Sequence, residues 1–285
     1  METTFEKLIE YALKQRSTDI HFEYINDNCI ISLRTINGFK NYYKKIDDIK
    51  LIEFLKYKAN MELTDMLTPQ SGSFTHFIKG KEYFFRLASI FTFSSKSFVL
   101  RILTDIYINK EISYDDKYEN AIDEILDLEN GLVFYSGPTG SGKTTSLYTL
   151  LKRFKNKKIY TVEDPIEIYL PGIFQLQIDV NKGINYRTAI KQILRHDPDV
   201  IVIGEIRDKN ETEMALTAAL TGHIVISTIH SGSCSQTIDR LKNLGITEYD
   251  ITTQVKYIFN QRLITRDNKR KVTYEILKIE KDIIK

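Results

Sequence analysis

Gly137-Pro138-Thr139-Gly140-Ser141-Gly142-Lys143-Thr144 decides how this chain reads. The stretch satisfies G-x-x-x-x-G-K-[ST], the signature of a phosphate-binding loop. In a chain of this length the pattern arises by chance on the order of 1 time in 100 from average composition. Its flanks make chance less credible. The apolar run Leu132-Val133-Phe134-Tyr135 leads in as a strand, and Leu147, Leu150 and Leu151 mark an apolar helix leading out. Glycines let backbone N–H groups close around phosphate oxygens where a Cβ would stand in the way. The start of the helix adds its partial positive charge. Lys143 is expected to reach the β- and γ-phosphates of ATP, and the Thr144 hydroxyl to ligate Mg²⁺. With Thr145, the segment Gly137–Thr145 is the expected nucleotide-binding element.

Hydrolysis also needs carboxylates, one on the magnesium side and one to orient or deprotonate the attacking water. Two segments downstream offer them. Thr161-Val162-Glu163-Asp164-Pro165-Ile166-Glu167 follows an expected strand. Val200-Ile201-Val202-Ile203 ends in Gly204-Glu205, with Ile206-Arg207-Asp208 after it. Carboxyl ends of strands line the ligand crevice of open α/β sheets, so Glu163 and Glu205 should converge on the loop. Glu163 is assigned to water activation and Glu205 to the magnesium side, with Arg207 as the nearby cation.

A further strand, within Thr221-Gly222-His223-Ile224-Val225-Ile226-Ser227-Thr228-Ile229-His230, carries a histidine at each end. Their spacing puts the two on opposite faces of an ideal strand, so they should not share one metal. A histidine at a strand end serves structure as readily as chemistry. Here the strand falls where a γ-phosphate sensor would lie, which makes His230 a candidate catalytic residue and His223 a candidate nucleotide contact.

The chain divides in texture. From Tyr118 onward, expected strands at Leu132–Tyr135, Lys158–Val162, Val200–Ile203 and His223–Thr228 alternate with expected helices at Gly142–Phe154, Tyr186–Arg195, Asn210–Leu220 and Ser233–Leu244. That alternation predicts an α/β domain, residues 118–285, with a mostly parallel sheet. Residues 1–104 read as a smaller α+β domain instead. Phe5, Leu8, Ile9, Ala12 and Leu13 recur at helical spacing. Strand follows strand thereafter, with Asn37-Gly38 as a tight turn and a helix from about Asp47 to Asn60 between them. Residues 105–117, polar and weakly periodic, are the expected linker. Arg34, Arg86 and Arg101 sit on strands of the first domain, either as surface residues or as a charge clamp on triphosphate.

Bulk composition sets limits. Apolar residues make up 42% and charged residues 27%, a globular balance. Forty basic against 38 acidic side chains give a net charge of +2, which predicts no strong general attraction to nucleic acid or membrane. The two cysteines, Cys29 and Cys234, form no CxxC pair, so a zinc or redox motif is not expected and a reducing compartment is. The amino terminus has no apolar signal region, and no run approaches the roughly 18 apolar residues of a membrane span. A cytoplasmic protein is expected, reaching a membrane only through partners.

With these segments in place, the chain resembles the secretion ATPase superfamily, which includes type II secretion, type IV pilus assembly and retraction, and competence pseudopilus motors. Gly137–Thr145 looks like its Walker A, Thr161–Glu167 its Asp box, Leu194–Asp208 its atypical Walker B and Thr221–His230 its His box. In the first domain, Ser17-Thr18-Asp19-Ile20-His21-Phe22-Glu23 is similar to the family's Ser-Asp-Ile-His-hydrophobic-Glu segment. Arg34-Thr35-Ile36-Asn37-Gly38 is similar to its Arg-x-x-Asp-Gly hairpin, with Asn for Asp. Arg86 and Arg101 fall where the family carries nucleotide-facing arginines.

The resemblance implies a RecA-like P-loop domain behind a PAS-like amino-terminal domain. It also implies a homo-hexameric ring that binds ATP and Mg²⁺, and an inner-membrane platform protein as partner. The chain shows no four-cysteine zinc insertion, no extra amino-terminal domain and no Ala-Ile-Arg-Asn-Leu-Ile-Arg-like segment. With Asp19-Ile20-His21-Phe22-Glu23 it looks most like a short assembly motor of the competence type. Retraction remains open. A RecA-like DNA translocase would need a basic channel, which the charge balance argues against. A non-hydrolysing scaffold sits badly with Lys143, Thr144, Glu163 and Glu205 all present.

Overall fold

Helix α1, Glu2–Lys14, turns Phe5, Leu8, Ile9 and Ala12 into the interior, as their spacing predicts. The structure is a computed structural model. It describes residues 1–25, 28–35, 38–43, 46–65, 67–103, 115–266 and 269–280. These fall into two compact units, Met1–Asp105 with Glu167–Tyr169, and Ile106–Ile166 with Leu170–Lys285.

In the first unit α1 is followed by β1 (Asp19–Ile25), β2 (Asn28–Thr35), β3 (Gly38–Asn41), α2 (Asp48–Lys58), β4 (Gln70–Ile78), β5 (Lys81–Phe91) and β6 (Ser95–Leu103). Asp47 caps α2, its carboxylate accepting from Lys50 N. The six strands form one antiparallel sheet in the order β3-β2-β1-β6-β5-β4. Phe5 of α1 packs against Phe54 of α2 and against Phe74 and Phe85 of the sheet, so both helices cover one face. A buried ring of this kind contributes roughly 1.5–3 kcal/mol. Asn37 of the expected turn lies outside the described residues; Gly38 opens β3 at φ +105°.

Strand alternation decides what the other face carries. Ile20, Leu33, Leu87 and Leu100 point into the core. Their neighbours one residue away therefore point outward. Cα register aligns Asp19 with Arg34 on one side and Arg101 on the other, and Arg101 with Arg86. The result is one cross-strand row of three arginines and an aspartate.

Most of the expected linker, residues 105–114, lies outside the described residues. Its end belongs to a helix: Asp115 caps α3 (Asp116–Leu126), accepting from Tyr118 N at 2.9 Å. The helix thus begins before the expected boundary at Tyr118, because an aspartate ahead of an amphipathic run is a capping signal rather than linker chemistry.

The second unit continues with β7 (Gly131–Ser136), α4 (Lys143–Leu151), β8 (Ile159–Glu163), β9 (Phe174–Gln177), α5 (Tyr186–Ile193), β10 (Val200–Ile206), α6 (Lys209–Leu220), β11 (Ile224–Ile229), α7 (Cys234–Asn243), α8 (Glu248–Gln254), β12 (Val255–Arg266) and β13 (Lys269–Lys278). Its sheet runs β13-β12-β7-β11-β10-β8-β9. All pairs are parallel except β12 with β13. Every residue of β7 and β11 is buried, as a central parallel strand covered on both faces must be. Sequence periodicity did not foretell β9, α8, β12 or β13. No helix among the described residues is long and apolar enough to cross a membrane.

Candidate functional site

Strand β7 delivers the chain to Ser136, and the glycine-rich loop follows. Gly142, in the left-handed region at φ +87°, is the N-cap residue of α4. Gly137 has φ +142°, and a Cβ there would stand 2.4 Å from the Gln261 carbonyl oxygen of β12, so no larger residue fits. Pro138, Thr139 and Gly140 are exposed, Ser141 is buried, and Thr144 and Thr145 are half-buried at the start of α4. The Lys143 ammonium donates to the carbonyls of Gly137 at 2.8 Å and Pro138 at 3.0 Å, which keeps it over its own loop.

Parallel register brings four strand ends to the same edge. Ser136 of β7 pairs with Ile229 of β11, and Ile203 of β10 pairs with both Val162 of β8 and Ser227 of β11. Glu163 ends β8 at only 3% exposure. Its carboxylate accepts from Thr161 Oγ1 at 2.5 Å, from Gln175 Nε2 of β9 at 3.1 Å, and from the Tyr148 hydroxyl of α4. A buried carboxylate surrounded by donors is held in one orientation.

Glu205 is set differently. Between the Ile203–Ser227 and Ile206–Ile229 pairs, β10 has two residues where β11 has one, a bulge at Gly204-Glu205. Such a bulge re-aims a side chain. Gly204 is needed for close packing, since a Cβ there would lie 3.3 Å from both Val162 O and Glu163 Cα. The Glu205 side chain is 20% exposed, with Oε1 2.9 Å from His230 Nε2 and Oε2 accepting from Arg207 Nε at 2.7 Å. Arg207 also stands 3.8 Å from Asp164. Burial holds the His230 pKa below its ordinary value, with Lys143 pushing the same way and Glu205 opposing. Burial thus favours the neutral ring, whose Nε2–H can donate to Glu205.

The structure therefore gathers Lys143, Glu163, Glu205, Arg207 and His230 at one sheet edge. His223 is not among them. It precedes β11 at the opposite end, beside Gly131 at the start of β7, and its Nδ1 engages Ala218 O and Thr221 Oγ1. Seven residue steps along the strand separate the two histidines by about 23 Å at 3.3 Å per residue. Within this unit His223 is a strand-start anchor, away from the phosphate loop.

In the first unit, Arg101 Nε donates to Asp19 Oδ1 at 2.7 Å, and Arg34 lies over the Phe39 ring at 4.7 Å. Arg86 and Arg101 are directly opposite one another. Like charges so placed repel, and Asp19 offsets the cost. Sequence reading did not single out Tyr148 and Gln175, which are ordinary residues until folding places them, and it quoted Asp19 and Thr161 only within longer motif segments. Asn260 and Gln261 did carry a signal, two carboxamides directly after Tyr257-Ile258-Phe259.

A family model described as type II/IV secretion system protein matches residues 1–281. The chain belongs to this family. Competence protein ComGA of Bacillus subtilis (strain 168) is 34% identical over 271 residues, covering 93% of this chain and 76% of that protein. The type IV pilus assembly ATPase PilB of Acinetobacter baylyi is 34% identical over 268 residues, covering 91% of this chain and 46% of that protein. The chain thus spans about half the length of some relatives it matches. The crystal structure of the pilus retraction motor PilT with bound ADP superposes with a TM-score of 0.74 at 25% identity, covering 98% of this chain and 84% of that one. The fold is that of a P-loop-type ATPase, in a family of secretion and pilus ATPases.

Proposed function

We propose that this chain is an ATP-hydrolysing motor that powers assembly of a type IV pilus-like or type II secretion-like pseudopilus, for DNA uptake in competence. The observation that carries the reading is the meeting of Lys143, Glu163 and the Glu205–His230–Arg207 cluster at the edge where the phosphate loop opens. The residues fit a magnesium nucleotide. Thr144 offers a hydroxyl at the first turn of α4 and Glu205 a carboxylate, the hard oxygen donors Mg²⁺ takes, in part through water. Bound there, Mg²⁺ would supply positive charge against that of the phosphates.

The chain's own groups do the rest. Backbone N–H groups from Gly137 to Thr145 cradle phosphate, and Lys143 exchanges its loop carbonyls for phosphate oxygens. Glu163, fixed by Tyr148, Thr161 and Gln175, orients the attacking water and takes its proton. Neutral His230 holds Glu205 and faces the γ-phosphate, while Arg207 adds positive charge. Arg86 and Arg101, on the PAS-like first unit, bring further cations to the triphosphate. In this reading the chain forms a homo-hexamer in the cytoplasm, at the membrane face, on an inner-membrane platform protein, without contacting nucleic acid itself.

Retraction is the competing direction, favoured by the fold likeness to PilT. The 34% identity to ComGA and to PilB favours assembly. Capture of the protein from its native cells, with identification of the co-purifying membrane and pilin-like proteins, tests the motor reading when combined with ATP turnover. Absence of Mg²⁺-dependent turnover overturns it.

A further inference from the structure

Strand β12 outlasts its parallel partner. The last β7 pair is Ser136 with Asn260, and β12 runs on to Arg266 alongside β13. The phosphate loop, which leaves β7 at Ser136, therefore passes over β12 beginning at Gln261. The contact is close: hypothetical Cβ atoms on Gly137 and Gly142 would stand 2.4 Å from Gln261 O and 2.9 Å from Gln261 Nε2. The fully buried Gln261 side chain donates from Nε2 to Ser141 O at 2.5 Å.

The residues on either side of Gln261 reach elsewhere. Asn260 Nδ2 donates to Ser136 Oγ at 2.9 Å and to Ser231 O at 3.3 Å, and Arg262 donates to Gly232 O at 3.0 Å. Ser231 and Gly232 are the turn directly after His230. Three consecutive residues of one strand thus grip both the phosphate loop and the exit from the histidine strand.

Two buried polar atoms at this junction, Gln261 Oε1 and Ser141 Oγ, find no hydrogen-bond partner among the described residues. Buried polar atoms are rarely left so, because the lost hydration is not recovered. One is an acceptor and the other can donate. The junction therefore holds unused hydrogen-bonding capacity of matching chemistry, which a rearranged loop can take up.

We propose that Gln261 is the positioning residue of the phosphate loop and that Asn260, with Arg262, is the positioning residue of the His230 turn, so that β12 sets the spacing between them. The inference rests on the ATPase reading above. It separates two kinetic effects. Gln261 acts on the loop that grips nucleotide at every stage, so its loss weakens ground-state binding. Asn260 acts on the element beside Glu205, so its loss affects turnover.

The test uses the full chain with Gln261→Met and Asn260→Leu, which keep approximate volume while removing the amide. Binding is read with a fluorescent ADP analogue, turnover at saturating Mg²⁺-ATP, and folding by thermal melting. Gln261→Met is expected to raise the Kd for the ADP analogue about tenfold with kcat reduced less than threefold. Asn260→Leu is expected to lower kcat about tenfold with that Kd within threefold of wild type. If Gln261→Met does not fold, Gln261→Leu provides the same comparison. Wild-type Kd and kcat in both variants, or losses of both constants in proportion to lost melting temperature, overturn this inference alone. A wild type that binds no nucleotide overturns it together with the ATPase reading.

Discussion

The two sheets present their charged residues in different places. In the antiparallel sheet, Arg34, Asp19, Arg101 and Arg86 form a row across strand interiors, on the face that α1 and α2 leave uncovered. In the parallel sheet, the central strands β7, β10 and β11 are mostly apolar and buried, and Glu163, Glu205 and His230 stand at or next to carboxyl ends. The cause is coverage. A sheet packed on one face has alternate residues free for charge, whereas one packed on both has only its ends and the loops beyond them. Strand-end residues can approach a bound phosphate from several directions, and a bulge such as that at Gly204-Glu205 can aim one without disturbing the core.

The contrast breaks most visibly at the loop. Lys143→Ala should lower ATP turnover by about 10³-fold or more, since it removes a charge-assisted phosphate contact in a water-poor site. Near wild-type turnover would place the chemistry outside the parallel sheet's edge. Glu205→Gln should block turnover while nucleotide binding, measured by equilibrium fluorescence, stays near wild type. Glu163→Gln should slow the chemical step by about 10²-fold in single-turnover assays. A larger effect at Glu163 than at Glu205 would sharpen the comparison by reversing the roles of the buried and the half-open carboxylate.

The antiparallel row should matter less. Arg101→Ala is expected to reduce turnover about tenfold, the scale of one charge-assisted hydrogen bond. Asp19→Asn, which releases Arg101 from its 2.7 Å contact, should reduce it only a few-fold. Unchanged turnover in both variants makes the row a surface feature.

The smallest effect concerns Glu211, the capping-box residue of α6, whose Oε2 accepts from Arg207 N and Asp208 N. Burial raises its pKa above the ordinary carboxylate value, against the opposing pull of those two backbone bonds. The folded state therefore holds the proton more tightly than the unfolded chain. This contribution to stability is greatest below the unfolded pKa and is lost as pH rises through the folded one. Glu211→Gln lacks it, so the variant's melting temperature should rise relative to wild type as pH climbs above the ordinary carboxylate range. A difference that does not change with pH contradicts the burial argument.

Sequence by itself determined the phosphate loop, the carboxylates and the division into a strand-rich first part and an alternating second part. Each is written locally, in motif spacing, apolar periodicity and turn residues. Even the α/β sheet order is constrained by the requirement that largely apolar strands such as Ile224–Ile229 lie centrally. Only the tertiary structure decided that His230 joins Glu205 while His223 anchors the other end, because strand direction and register set which end meets the loop. It alone decided that Tyr148 and Gln175, 15 residues before and 12 after Glu163, donate to one carboxylate. It alone placed Gln261 under Ser141, 120 residues away in sequence. Local patterns report what a segment can become, whereas contacts between distant segments arise from packing, which no short window of residues contains.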